Sequence, residues 1–256
     1  MIRDMNLPGT ADAIQHWIEQ QVRTTLTDGV VIGLSGGIDS AVTAALCARA
    51  LGSKRVHGMI LPCYSSEDSV KDAIELATNL GIDWTQVYLN PMNDDFAMDL
   101  SGISKLARGN LRSRLRMCAL YAQANTLHRL VCGTTNMTEM VLGYYTKYGD
   151  GGVDIEPIAK LLKGEVRAMA RHLNANNPVI PRHTIEKAPS ADLGISKTDE
   201  DELGYSYDEL DAAVHKMIIK GEFIPLDAPG AEGVVRRRYG MNQHKRETPP
   251  QCPHPG

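Results

Sequence analysis

The sequence predicts an α/β fold: a parallel sheet of about five strands, helices on both faces, and additional helices toward the C-terminal end. Three observations lead there. Short aliphatic runs alternate with helical patterns along the chain. The first run passes through Ser35-Gly36-Gly37-Ile38-Asp39-Ser40 straight into a helix. With two Phe and two Trp in 256 residues, the core must be built from aliphatic side chains.

The elements follow in order. Residues 11–27 read as an amphipathic helix, with Ile14, Ile18, Val22 and Leu26 on one face, ended by Asp28-Gly29. Val30, Val31, Ile32 and Leu34 form a buried strand, and residues 41–51 a mostly apolar helix. After Gly52, residues 56–61 make a second strand, stopped by Pro62. Ser66 caps a helix over 67–80, and residues 84–89 are a third strand. A helix over 110–130 can turn Leu111, Leu115, Cys118, Ala122 and Leu130 inward, while Arg108, Arg112, Arg114 and Arg116 crowd its first turns. Arginines there oppose the helix dipole, so either they are simply solvated or they serve an anion. Residues 130–134 are a fourth strand and 163–173 a helix. Residues 186–202 read as a polar, mobile loop, and Ser206-Tyr207-Asp208-Glu209 is a capping box ahead of Leu210, Val214, Met217 and Ile218. Residues 236–246 are basic.

The chemistry concentrates where strands end. In such sheets ligands sit beyond the carboxyl ends of the strands, where strand order reverses. Paired glycines at 36 and 37 let the backbone approach a ligand, and the following helix aims its free N–H groups at the loop, which suits phosphate. Ser35 and Ser40 add hydroxyls, and Asp39 adds a carboxylate able to hold Mg²⁺ between phosphate oxygens. No Gly-Lys-Ser/Thr follows, so this is not a P-loop. A second polar cluster, Thr134 to Glu139, closes the fourth strand. Beyond it lies Gly143-Tyr144-Tyr145-Thr146-Lys147-Tyr148-Gly149-Asp150-Gly151-Gly152-Val153-Asp154-Ile155, too glycine-rich for a regular element and too aromatic for a linker. A loop packed onto a ligand is the simplest account.

A net charge of −4 gives no overall attraction to nucleic acid or membrane. The first 17 residues lack the apolar run of a signal peptide, and no stretch approaches ~18 consecutive apolar residues, so a cytoplasmic protein is expected. The five cysteines form no Cys-x-x-Cys pair and read as reduced thiols.

The run from Gly33 to Ser40 resembles the pyrophosphate-binding loop of the N-type ATP pyrophosphatases, whose sheet is adenine-nucleotide alpha-hydrolase-like and Rossmann-like. Within that superfamily the tyrosine–glycine loop through Pro157 is similar to the signature of ammonia-dependent NAD synthetases. So are Arg108-Gly109-Asn110 through Arg116-Met117, Gly133-Thr134 with Glu139, Pro189-Ser190-Ala191-Asp192-Leu193, and His244-Lys245-Arg246 followed by Pro249. The resemblance implies one domain over residues 1–256 with no glutaminase domain. It also implies amidation of deamido-NAD by ammonia: ATP adenylates the carboxylate and releases pyrophosphate, and ammonia displaces AMP. It assigns Gly33, Leu34, Ser35, Gly36, Gly37, Ile38, Asp39, Ser40, Thr134, Lys163 and Ser190 to ATP. Asp39 and Glu139 fall to Mg²⁺, and Arg114, Lys147, Asp154, His244 and Lys245 to deamido-NAD. A homodimer is implied too. Where relatives often carry an arginine near the adenine, Met59 or Ile60 stands here. The alternatives are a GMP-synthetase-like amide-forming pyrophosphatase and a nucleotide-binding module without chemistry. A tRNA-modifying enzyme is disfavoured by the charge and the cysteine pattern.

Overall fold

In the computed structural model, residues 5–100, 102–187 and 199–252 are described. Helix α1 (Leu7–Thr24) starts earlier than its apolar periodicity suggests, because the Asn6 side chain accepts the Gly9 N–H at 3.1 Å and Pro8 needs no partner there. Strand β1 (Val30–Gly33) leads into α2 (Ile38–Leu51), β2 (Val56–Ile60), α3 (Glu67–Leu80) and β3 (Asp83–Gln86). The chain continues through α4 (Asn90–Asp99), α5 (Lys105–Thr126), β4 (Leu130–Cys132) and α6 (Met137–Leu142). Helices α7 (Lys163–Asn174), α8 (Arg182–Glu186), α9 (Asp199–Leu203), α10 (Tyr207–Val214), α11 (Gly230–Met241) and α12 (Gln243–Arg246) complete it.

The sheet is wholly parallel, in the order β3-β2-β1-β4. The chain steps outward from β1 to β2 and β3, then returns to the far side of β1 as β4. Strand order therefore reverses between β1 and β4, and in such sheets the crevice that takes a ligand lies beyond the carboxyl ends of the two strands at the reversal. Alternation along β1 shows why both faces are covered. Val30 and Ile32 pack with Val42, Leu46 and Met169 of α2 and α7, while Val31 packs with Met59, Val131 and Leu120 on the α5 side. Met59 and Ile60, at the expected adenine position, are core residues at 3% and 2% exposure.

Among the described residues the sheet has four strands, not about five. The stretch after the tyrosine–glycine loop does return beside β4, with Gly133 N–H donating to Ile155 O at 2.7 Å, but it makes only a single bridge to Cys132. Pro157, two residues on, has no N–H to extend the ladder. Helix α5 begins at Lys105 rather than 110, because Ser104 Oγ accepts the Ala107 N–H at 3.1 Å. Leu130 belongs to β4, and Cys118 faces outward. Part of the expected loop over 186–202 is helical, as α9. A smaller core joins α6, α10 and α11 through Val141, Leu142, Leu210, Val214 and Val235. Cys47, Cys63, Cys118 and Cys132 are free thiols. No helix among the described residues is long and apolar enough to cross a membrane.

Candidate active site

The phosphate-type loop lies at the β1 side of the reversal crevice. Gly36 has φ +76°, and a Cβ there would meet Ser69 O at 2.3 Å, so only glycine fits. Buried Ile38 anchors the start of α2, and Leu34 N–H still reaches Met59 O at 2.8 Å. The serines are more structural than their sequence suggests. Ser40 Oγ donates to Gly37 O at 2.9 Å and accepts from Ser35 N at 3.3 Å, while Ser35 Oγ accepts from Gly37 N at 3.2 Å. Gly37 precedes α2 with no side-chain cap, which leaves the helix's first N–H groups for an anion.

Three helix starts converge here. Asp39 lies in the first turn of α2, Glu139 in that of α6, and Lys163 opens α7. Met137 N–H donates to Leu161 O at 2.8 Å, tying the start of α6 to the approach to α7. The Lys163 ammonium, 3% exposed, sits 2.6 Å from Asp39 Oδ2 and 3.0 Å from Glu139 Oε1. Burial works against its charge, but the two carboxylates outweigh burial and raise its pKa above the usual lysine value. Burial also pushes the Glu139 carboxyl up to about 7, against the pull of Lys163. Asn136, fully buried, organises both acids. Its side chain caps α6 by accepting Glu139 N–H at 3.0 Å, and its Nδ2 donates to Asp39 Oδ1 at 2.9 Å.

The tyrosine–glycine loop docks on α5. Asp150 Oδ1 accepts from Ser113 Oγ at 2.6 Å and Thr146 N at 2.8 Å, and Thr146 Oγ1 bonds Asn110 Oδ1 at 3.0 Å. Arg114 Nη2 reaches Lys147 O at 3.3 Å, and Lys147 Nζ donates to His244 O. Lys245 Nζ donates to Gly143 O and Tyr145 O at 2.6 and 2.7 Å. The basic C-terminal segment thus folds over this loop, which brings Arg114, Lys147, His244 and Lys245 into one neighbourhood. Asp154 is held elsewhere, accepting from Tyr121 Oη at 2.9 Å and Val131 N at 2.8 Å. Thr134 is half-buried in the loop after β4. Ser190, with the rest of the 189–193 block, lies outside the described residues.

Glu156, beside Gly133, adds a pH-sensitive group. Burial first, and the Asp150 carboxylate next, push it from 4.5 up to about 7. Between those values the folded chain keeps a proton that the unfolded chain has released, so stability falls as pH rises through that window, by at most about 3 kcal/mol. Glu139 contributes with the same sign. Thermal midpoints of the Mg²⁺-free protein will therefore drop between pH 5 and pH 8, and Glu156→Gln will flatten part of that slope. An unchanged slope in the variant would show that Glu156 titrates normally.

Asn136, Glu156, Tyr207 and Asp211 received no role from the sequence. Only Asn136 carried a local signal, the Asn-x-x-Glu capping pattern with Glu139.

The NAD synthase family profile matches residues 10–249. The chain is 44% identical over 248 residues to the NH3-dependent NAD+ synthetase of Archaeoglobus fulgidus, covering 96% of this chain and 97% of that one. Among solved structures, the NMN synthetase of Francisella tularensis matches with TM-score 0.87 and 32% identity, over 98% of this chain and all of that one. The NH3-dependent NAD synthetase of Campylobacter jejuni matches with TM-score 0.78 and 29% identity, over 97% and 100%.

Proposed function

The chain belongs to the NAD synthase family, and on that premise we propose that it makes NAD by ATP-dependent amidation of deamido-NAD with free ammonia. The observation that carries the mechanism is the meeting of Asp39, Glu139 and Lys163 at the glycine loop in the β1/β4 crevice. The N–H groups at the start of α2 hold the ATP phosphates, with Thr134 and Ser190 as further ATP contacts. A carboxylate oxygen of deamido-NAD attacks the α-phosphorus and pyrophosphate leaves. Ammonia then attacks the acyl carbon, AMP departs and one proton is lost. Ammonia is already the nucleophile, so the chain supplies position and charge.

Two carboxylates that share one buried cationic atom form a donor set of hard oxygens, which fits Mg²⁺ bound largely through phosphate oxygens and water. Asp39 and Glu139 would hold the ion, which when bound neutralises charge on the departing pyrophosphate. Lys163 provides a point charge for the same leaving group. Arg114, Lys147, His244 and Lys245 orient the acceptor dinucleotide from the tyrosine–glycine loop, with Asp154 at its edge. The same reading makes the enzyme a cytoplasmic homodimer. Exposed Tyr88, Met92, Phe96, Leu100 and Leu106 along α4 and the start of α5 support self-association, which sedimentation velocity will test.

A second reading is favoured by the likeness to the NMN synthetase: the same chemistry on nicotinate mononucleotide. Product analysis with Mg-ATP and ammonium, offering both acceptors, separates the two. NAD and AMP formed from deamido-NAD in preference to the mononucleotide, and little with glutamine in place of ammonium, is the expected result. A preference for the mononucleotide would reassign the acceptor. AMP release without an amide would point to a sister pyrophosphatase.

A further inference from the structure

We infer that α10 is the positioning element for Lys163, with Tyr207 supporting its ammonium and Asp211 fixing its backbone. The inference rests on the reading of Lys163 as the lysine that meets pyrophosphate. Tyr207 is fully buried, and its ring centroid lies 5.0 Å from Lys163 Nζ. Four residues on, on the same helical face, Asp211 is 6% exposed. Its carboxylate accepts from Gly164 N at 2.7 Å, Lys163 N at 3.3 Å and Thr138 Oγ1 at 2.5 Å. Thr138 adjoins Glu139, so one carboxylate ties the start of α7 to the first turn of α6.

These contacts differ from ordinary packing in what they hold. A carboxylate is costly to bury unless donors surround it, and Gly164 N, Lys163 N and Thr138 Oγ1 all belong to the two elements that carry Lys163 and Glu139. A lysine stem is flexible, and its ammonium must stay aimed at phosphate once the carboxylates are engaged by another cation. An aromatic face attracts the ammonium without offering an anion that would hold it back from phosphate. Tyr207 Oη also donates to Asp199 Oδ2 at 3.1 Å, and Tyr144 Oη to Asp199 Oδ1 at 3.2 Å. The support for Lys163 is thereby continuous with the tyrosine–glycine loop.

The test is a double-mutant cycle read on magnesium pyrophosphate affinity by calorimetry and on pyrophosphate release. The variants are Tyr207→Leu, Tyr207→Phe and Asp211→Asn, each alone and with Lys163→Met. In Asp211→Asn the amide keeps one acceptor but turns an NH2 toward a backbone donor. Tyr207→Leu and Asp211→Asn should each weaken pyrophosphate affinity about tenfold, with about a 100-fold loss in release rate for a lysine displaced by an ångström. Neither should cost more once Lys163 is Met. Tyr207→Phe keeps the ring and should restore most of what Tyr207→Leu loses. Equal losses with and without Lys163, or no loss at all, would overturn the inference. If Asp211→Asn does not fold, the Tyr207 pair decides alone. Failure of the wild type to make NAD would remove the proposed reaction, while the cycle on pyrophosphate affinity would still report whether α10 acts through Lys163.

Discussion

Lys163→Met will slow pyrophosphate release by about 10²- to 10³-fold and will make the fold depend on a divalent cation. The wild-type cluster holds two carboxylates around one ammonium, at 2.6 and 3.0 Å, with the lysine side chain 3% exposed. Methionine fills similar space but leaves Asp39 and Glu139 facing each other without a counter-charge. Breaking a buried pair in this way costs about 3–5 kcal/mol. The cost can be relieved in two ways. Glu139, already pushed up to about 7 by burial, can keep its proton at higher pH, or a cation can take the vacated place. Binding to the folded state alone stabilises by about 2.7 kcal/mol at a hundred times the dissociation constant. Thermal unfolding in EDTA and in millimolar Mn²⁺ or Mg²⁺ will therefore show a large cation-induced rise for Lys163→Met. The wild type, which carries its own internal cation, will show a smaller one. A variant as stable as the wild type in EDTA would mean that the two acids do not depend on Lys163.

The sequence disclosed most where the determinants are local. Helix α3 was expected over 67–80 and is found there, because both its stops are written nearby. Ser66 Oγ accepts the Ser69 N–H at 3.2 Å, and Gly81 ends the helix at φ +65°. The strand–glycine loop–helix unit is legible for the same reason. The expected count of about five strands was one too many for the described residues, since a strand exists only through its pairing, and Ile155 makes a single bridge before Pro157. The start of α5 was misplaced because one serine cap outweighs a late apolar pattern. In the site, Asp39, Glu139 and Lys163 are far apart in the chain, and only the reversal of strand order brings them together. It was the family resemblance that paired them, not spacing. Tyr207 shows the remaining gap most plainly. It lies inside the Ser206–Glu209 capping box and read simply as part of a helix start, although its ring is buried against the site lysine. A buried polar side chain whose partners come from distant elements leaves no periodicity to find.

Asp39→Asn, unlike Lys163→Met, should keep the fold while it cuts pyrophosphate release. Counting formal charges on Asp39, Glu139 and Lys163, the wild type carries −1, Lys163→Met carries −2, and Asp39→Asn carries zero. The amide is nearly isosteric, keeps an oxygen to accept from Asn136 or Lys163, and leaves Lys163 paired with Glu139. Losing the Asp39 charge also removes one of the influences that raise the Glu139 pKa. Nothing in that balance unfolds the chain, so the thermal midpoint in EDTA should stay close to that of the wild type. Catalysis is different, because the charge that develops on pyrophosphate needs a cation held in place, and one carboxylate holds a divalent ion far less well than two. Release of pyrophosphate under saturating Mg-ATP and deamido-NAD should fall by about 10³-fold, and calorimetry should show weaker Mn²⁺ binding. Full activity would remove Asp39 from the metal site. Two substitutions in one ion pair, one costing stability and activity and the other activity alone, would separate what the cluster does for the fold from what it does for the reaction.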